Sequence, residues 1–388
     1  MTTRQPALPD CQTGRLDFPT PAQEGVQSLL DSLVGKNLER GLQVAVYFKG
    51  RLAVDAWAGI ADRTTRLRVS GDTLFPVFSV SKGITATLAH LLTERGLVSY
   101  DLRIADVWPE FGANGKGSIT LRQALNHTAG IPHMPAGIGF AELADWDVMC
   151  GEIARLAPGW PPGSRAEYHA ITYGWIVGET LRRVDGRSFA QMLEEEICGP
   201  LGLDSLSIGI PDEAEPRVAR LEEYDLDFVP PNDAGVEAIP HWLMPLHAMM
   251  NRPEMRRACI PATSGIMSAR ALARHYAALL PGGVDGVKLL PPHRVREALE
   301  WQKTGPGREE FSGWLLGYQP VGNWEPGGSP VTVFGHGGYG GSIGFADIEN
   351  HLAVGMTKNL FNGDGTRELI LREIQKFFPI SGKLAKRA

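Results

Sequence analysis

Strand-like runs stand at both ends of this chain and helix-like runs fill its middle, an order that constrains the fold more than any single motif. Residues 41–50, Gly41-Leu-Gln-Val-Ala-Val-Tyr-Phe-Lys-Gly50, and 51–59, Arg51-Leu-Ala-Val-Asp-Ala-Trp-Ala-Gly59, read as two strands joined through Lys49-Gly50 as a short hairpin. Residues 314–318, 331–334, 342–348 and 352–356 resemble an antiparallel meander with a turn at Glu349-Asn350. Apolar spacing at Val26, Leu29, Leu30 and Leu33 predicts a first helix over 22–38, and 367–378 gives a closing amphipathic helix. From 93 to about 254 helical signals dominate, including 171–184 and, beyond the Asp185-Gly186 turn, 189–197, broken by Pro/Gly-rich loops such as 157–164. The pattern predicts an α+β fold: one antiparallel sheet built from both chain ends, flanked by helices, with an inserted mainly helical lobe. The expected division is 10–85 plus 255–388 against 86–254, with the active site between them.

The chemistry centres on Phe78-Ser79-Val-Ser-Lys82, which follows an extended run and precedes apolar residues at Ile84, Leu88, Leu91 and Leu92 with helical spacing. Ser79 then sits at the first turn, and a lysine three residues on shares its face. A serine hydroxyl needs a neighbouring base, and a partly desolvated lysine is one of the few side chains that can serve. The helix amino terminus favours a negative oxygen there and eases loss of the lysine proton. The same four residues also fit a plain N-cap serine followed by a solvated lysine. Context favours the chemical reading, because this is the chain's only Ser-x-x-Lys and an apolar helix follows it directly.

At 388 residues, 43% hydrophobic and 21% charged, the chain has the composition of an ordinary globular protein. A formal net charge of -6 offers no basic field for nucleic acid. No stretch approaches the ~20 apolar residues of a membrane span, and the lead Met1-Thr-Thr-Arg-Gln-Pro-Ala-Leu-Pro-Asp10 lacks a secretion signal's apolar core. A cytoplasmic location is the expectation. Cys11, Cys150, Cys198 and Cys259 are far apart and are expected as free thiols. No His/Asp/Glu cluster has metal-ligand spacing and no phosphate loop is present, so no cofactor is expected; His127 and His133 read as residues that hold loops.

Several ordered motifs resemble those of the serine β-lactamase-like family, the group of class C β-lactamases, penicillin-binding DD-peptidases and family VIII carboxylesterases. They are Phe78-Ser79-Val-Ser-Lys82, Thr120-Leu-Arg-Gln-Ala-Leu-Asn-His127-Thr-Ala-Gly-Ile131, Pro162-Gly-Ser-Arg-Ala-Glu-Tyr168, Gly199-Pro-Leu-Gly-Leu203 and Ala262-Thr-Ser-Gly-Ile-Met-Ser268. The resemblance covers about 21–378 and implies a β-lactamase/transpeptidase-like fold with Ser79 as nucleophile. In class C enzymes and their esterase relatives a Tyr-x-Asn helps move the proton. Tyr168-His-Ala170 is similar to it, with Ala170 in place of the asparagine; Tyr173 is the rival tyrosine. A phenol beside an ammonium ionises more readily than its free value of about 10, so Tyr168 is expected to share base duty with Lys82. The lactamases' Lys-Thr-Gly is most like His336-Gly337-Gly338, expected to line the substrate site, and the resemblance implies an oxyanion hole from the N–H groups of Ser79 and Tyr339. The missing asparagine and lysine favour esters over penicillins.

Two further stretches bear on the site. Gly340-Gly-Ser342-Ile-Gly344 satisfies the nucleophile-elbow pattern, which requires a helix after the serine; the sequence that follows reads as strands. Residues 239–250, Ile239-Pro-His-Trp-Leu-Met-Pro-Leu-His-Ala-Met-Met250, are apolar enough to be core or packing surface, and the sharper hypothesis makes them an acyl-binding cleft that includes Trp242. The expected function is a family VIII-type carboxylesterase cleaving short-chain acyl esters of small molecules through a Ser79 acyl-enzyme. A β-lactamase, a D-amino-acid peptidase or amidase, an acyltransferase to an alcohol, and a non-enzymatic penicillin-binding-like protein are the alternatives.

Overall fold

The computed structural model describes residues 20–223, 238–305, 310–362 and 365–381. Cys11, the polar lead and the 382–388 tail lie outside the described residues; Cys150, Cys198 and Cys259 are free thiols.

Seven antiparallel strands form the main sheet, in the spatial order Gln319–Pro320, Val333–Gly337, Ile343–Asp347, Leu352–Lys358, Gly41–Phe48, Arg51–Asp62, Leu67–Arg68. The two chain ends meet at its centre, where Leu352–Lys358 pairs with Gly41–Phe48 and Val46 stands opposite Val354. Both faces are covered. Leu42, Val44 and Val46 point to a core shared with Val26, Leu30 and Leu33 of the first helix and Ile370 and Ile374 of the last. Ala45 and Tyr47 point to the larger core on the opposite face. Alternation therefore survives in which core each residue joins, although almost every residue of that strand is buried. The hairpin turn falls at Lys49-Gly50 with both residues at positive φ, +50° and +77°, the geometry whose twist matches the flanking strands. Buried Gln43 ties the sheet to its neighbours: its amide donates to Ser70 O and Thr73 O, and its oxygen accepts from Ala269 N–H and the Thr357 hydroxyl.

The helices at 21–35, 172–185 and 365–375 stand where the periodicity puts them, within a few residues at their ends. One expected strand is absent. Residues 314–318 make no ladder, and the edge strand is Gln319–Pro320 instead. Gly313 and Gly317 adopt positive φ, while the N–H groups of Leu316 and Gly317 bond to Ala298 O and Leu125 O. The backbone of this run is thus spent on helical neighbours, and Leu315 and Leu316 pack fully buried. Among the described residues no helix is long and apolar enough to cross a membrane.

Candidate active site

A second, three-stranded sheet sets the nucleophile in place. Phe75–Phe78 and Leu206–Ile208 flank Gly265–Met267. The first of these strands ends in a sharp reversal: Phe78 adopts φ +50°, and Ser79 is already helical at φ -63°, ψ -7°. A left-handed conformation at a bulky residue is costly and persists only where the surroundings enforce it. The helix that follows, Val80–Glu94, is buried on every side from Val80 to Leu92 and packs against the Thr172–Asp185 helix and the Val333–Gly337 strand. Ser79 forms no side-chain cap bond, so the plain N-cap reading fails. Ser81 knits the turn instead, donating to Phe78 O and accepting from Gly265 N–H. This leaves the partly exposed Ser79 side chain to the cavity.

Lys82 is fully buried, with Nζ 3.1 Å from Ser79 Oγ, 2.7 Å from Ala170 O and 3.0 Å from Ala262 O. Among the described residues no carboxylate pairs with it, and burial drives its pKa well below 10.5. Its ammonium position lies 4.8 Å from the centre of the Tyr168 ring and 5.8 Å from that of Tyr173. Tyr168 faces the cavity beside Ser79; Tyr173 is not among the cavity walls, and its buried hydroxyl has no partner among the described residues. Burial raises the Tyr168 pKa far above 10, against the opposing pull of the nearby Ser79 hydroxyl. The expectation of a readily ionised phenol is thus corrected: desolvation of the buried ring outweighs every influence that would lower its pKa, and burial pushes the neighbouring Lys82 down as well.

Three aromatic residues hold the tyrosine. Trp314 stacks on its ring at 5.3 Å and 11°, and His127 packs at 4.8 Å from Tyr168 and 4.5 Å from Trp314. The more distant His336 ring, at 6.4 Å and 30°, completes the enclosure. His127 sits at φ +62° and accepts the His169 N–H at its Nδ1, so it holds the loop and the tyrosine together. Trp314 was hidden by its assignment to a strand, and the Ala170 and Ala262 carbonyls are backbone groups that no residue type advertises.

The opposite wall is the strand edge after His336. Gly338 sits so close to the nucleophile turn that a Cβ there would fall 2.0 Å from Val77 O. Gly338 N–H bonds to Ser342 O and Gly341 N–H to Gly338 O, and neither bond uses the N–H of Tyr339. His336 is buried; its Nδ1 lies 2.7 Å from Gly337 O, and burial, with Lys82 adding, lowers its pKa to about 3. It is neutral at physiological pH.

Ser79, Tyr168, Ala170, His336, Gly337, Gly338 and Tyr339 all line one cavity of about 780 Å³. Ile239, Leu246 and Met249 also line it, so part of the apolar 239–250 stretch faces the site. Trp242 does not: it is 38% exposed and packs against Phe140 at 5.3 Å. Its short 3₁₀ turn, His241–Leu243, aims it outward while Leu243 takes the core. Ser342 is buried and followed by the strand Ile343–Asp347, so the elbow's helix is absent. Among the described residues no group of three or more His, Cys, Asp or Glu could hold a metal ion.

Comparison with known proteins finds relatives along most of the chain. The family model described as Beta-lactamase matches residues 26–376. The chain is 35% identical over 344 residues to the esterase/beta-lactamase LipL of Mycobacterium tuberculosis, covering 82% of this chain and 77% of that protein. The crystal structure of a family VIII carboxylesterase superposes with a TM-score of 0.80 at 28% identity, covering 93% of this chain and 99% of that one. A penicillin-binding protein homologue from Caulobacter crescentus gives 0.78 at 33% identity, covering 92% and 96%.

Proposed function

This chain belongs to the Beta-lactamase family and is a hydrolase of that fold, and we propose that it works as a serine carboxylesterase on short-chain acyl esters. The observation that carries the reading is Lys82, buried with no carboxylate partner among the described residues and 3.1 Å from Ser79 Oγ. As a neutral amine it gives its two N–H groups to Ala170 O and Ala262 O and turns its lone pair to the Ser79 hydroxyl. Ser79 Oγ attacks the ester carbonyl as its proton passes to Lys82. The oxyanion is held by the N–H groups of Ser79 and Tyr339, donors whose individual loss typically costs about 100-fold or more. Tyr168, a protonated phenol in the resting site, gives its proton to the leaving alkoxide and is resupplied by the Lys82 ammonium. Water then enters by the reverse relay and releases the acid.

Two departures support esters over β-lactams. Ala170 offers only its backbone where the lactamases present an asparagine amide, and His336, neutral above pH of about 3, brings no positive charge to the place of their lysine. The LipL relative's double description and Arg367 on the cavity wall favour β-lactam hydrolysis as the second reading. Intact-protein mass after treatment with an organophosphonate tests the first step. The adduct is expected on wild type and on Ser342→Ala but not on Ser79→Ala; labelling that depends on Ser342, or none at all, rejects the mechanism.

A further inference from the structure

One charged group on the cavity wall has no part in the relay. Glu223 lines the same cavity as Ser79, among Phe78, Ile239, Leu246, Met249 and Phe361, and its side chain is only 4% exposed. Its position is closely fixed. Leu221 exchanges two hydrogen bonds with the Asn251 side chain, each 2.9 Å, and the following Glu222–Glu223 strand pairs in parallel with Leu360–Phe361. The Glu223 carboxylate then bridges two residues. Its Oε2 lies 2.8 Å from His247 Nδ1, and its Oε1 accepts from the Tyr339 hydroxyl at 3.5 Å. Tyr339 is the residue whose N–H is assigned to the oxyanion, so the carboxylate stands one tyrosine side chain away from the reacting carbonyl. The Tyr339 ring is itself clamped edge-on between Phe78, at 5.9 Å, and Phe361, at 5.2 Å.

A carboxylate in a mostly apolar wall is expensive to desolvate, and among the described residues no arginine or lysine reaches this one; its partners are one histidine and one phenol. Arg367 is the one guanidinium among the described residues of the wall, and it belongs to the side near Gly337. The Glu223 side therefore presents a carboxylate without an arginine or lysine partner among the described residues next to apolar surface, the chemistry that receives a cationic head on a short hydrocarbon stem.

We propose that Glu223 is a specificity-determining residue, and that the preferred substrates of this site are esters carrying a cationic group a few bonds from the carbonyl. This rests on the esterase reading above. Two isosteric pairs of probes test it, one with the charge in the acyl chain and one with it in the alcohol. The first pair is the p-nitrophenyl esters of 4-(trimethylammonio)butanoate and 5,5-dimethylhexanoate; the second is choline butyrate and 3,3-dimethylbutyl butyrate. The readout is the cationic-to-neutral ratio of kcat/KM, which cancels any general loss of activity. Glu223→Gln is expected to lower that ratio by about tenfold in at least one pair. An unchanged ratio in both pairs overturns the proposal. Wild-type protein gives an independent check, since it should turn over the trimethylammonio ester faster than the p-nitrophenyl half-ester of pentanedioate, whose charge is reversed. Equal or slower turnover, together with an unchanged ratio for the choline pair, overturns it. Hydrolysis of the neutral esters with no charge preference would reject only the role of Glu223, whereas hydrolysis of none of the probes would remove the esterase reading and this one with it.

Discussion

Two serines of this chain lie beside buried lysines, and only one of them is set up to react. Ser79 has Lys82 one helical turn away, with the amine at hydrogen-bond distance from the hydroxyl and two carbonyls as its other contacts. Ser342 has Lys358 across the sheet, but what reaches its hydroxyl is the backbone N–H of Lys358, at 3.3 Å. The Lys358 amine is turned to Glu39, Asn362 and Thr366. Both lysines are essentially excluded from solvent. The difference is the counter-charge. Lys358 keeps a carboxylate partner and so serves as an ion-pair member, whereas Lys82 meets only a hydroxyl and two carbonyls among the described residues and is pushed toward the neutral amine that a general base must be. A serine motif acquires chemistry from what its lysine is denied.

Removing each lysine should therefore have opposite signatures. Lys82→Met is expected to slow acylation by a phosphonate or activated ester about 10³-fold, within the range for loss of a positioned general base. Lys358→Met leaves the Glu39 carboxylate buried without its cation, which typically costs about 3–5 kcal/mol of stability. It should lower the melting temperature markedly while acylation, measured below that temperature, stays within about tenfold of wild type. Acylation rates by stopped flow and unfolding in urea separate the two. A Lys358→Met protein that is folded but unreactive would erase the contrast.

The pH dependence sharpens the same contrast. The reactive form of Lys82 is neutral, so its contribution is fully present above its folded pKa and is lost as pH falls through that value. Because burial brings that pKa well below 10.5, kcat/KM should reach its plateau well short of pH 10. Tyr168, raised by burial, stays a phenol and adds no alkaline loss below about pH 10. His336, at about 3, adds no step near neutrality, so His336→Asn should leave the acid limb where it is. A rate still climbing tenfold per unit at pH 10 would mean that Lys82 titrates like a solvated lysine.

Much of this arrangement could be read from the chain because it depends on local periodicity. The Ser79 turn, the helix behind it and the meeting of two chain ends in one sheet all follow from apolar spacing and strand order. What escaped notice depends on tertiary contact. Glycines at 313 and 317 hand the backbone to Leu125 and Ala298, so residues 314–318 never pair as a strand and Trp314 is left to stack on Tyr168. The direction of the Tyr168 shift was equally out of reach. Proximity to a lysine suggested a lower pKa, but the sign is set by burial of the phenol itself, enclosed by Trp314, His127 and His336 from distant parts of the chain. Glu223 carries no motif and acquires meaning only through its pairing with Phe361 and its approach to Tyr339.

The smallest expected effect concerns the apolar 239–250 stretch, where the sequence proposed a cleft and the structure divides the residues. Leu246 and Met249 belong to the short Leu246–Met250 helix, three residues apart on one face, and both line the cavity. Trp242 lies outside it, against Phe140 and partly in solvent. Met249→Ala should thus shift the optimum in a series of p-nitrophenyl esters toward longer acyl chains, because the space left by the side chain can take about two further methylenes; each buried methylene contributes roughly 0.8 kcal/mol, or about fourfold in kcat/KM. Trp242→Ala should leave the optimum where it is. A shift with Trp242→Ala and none with Met249→Ala would place the acyl chain outside the cavity that holds Ser79. It would also weaken the contrast between the two serines, because the pocket would then no longer single out the one with the neutral lysine.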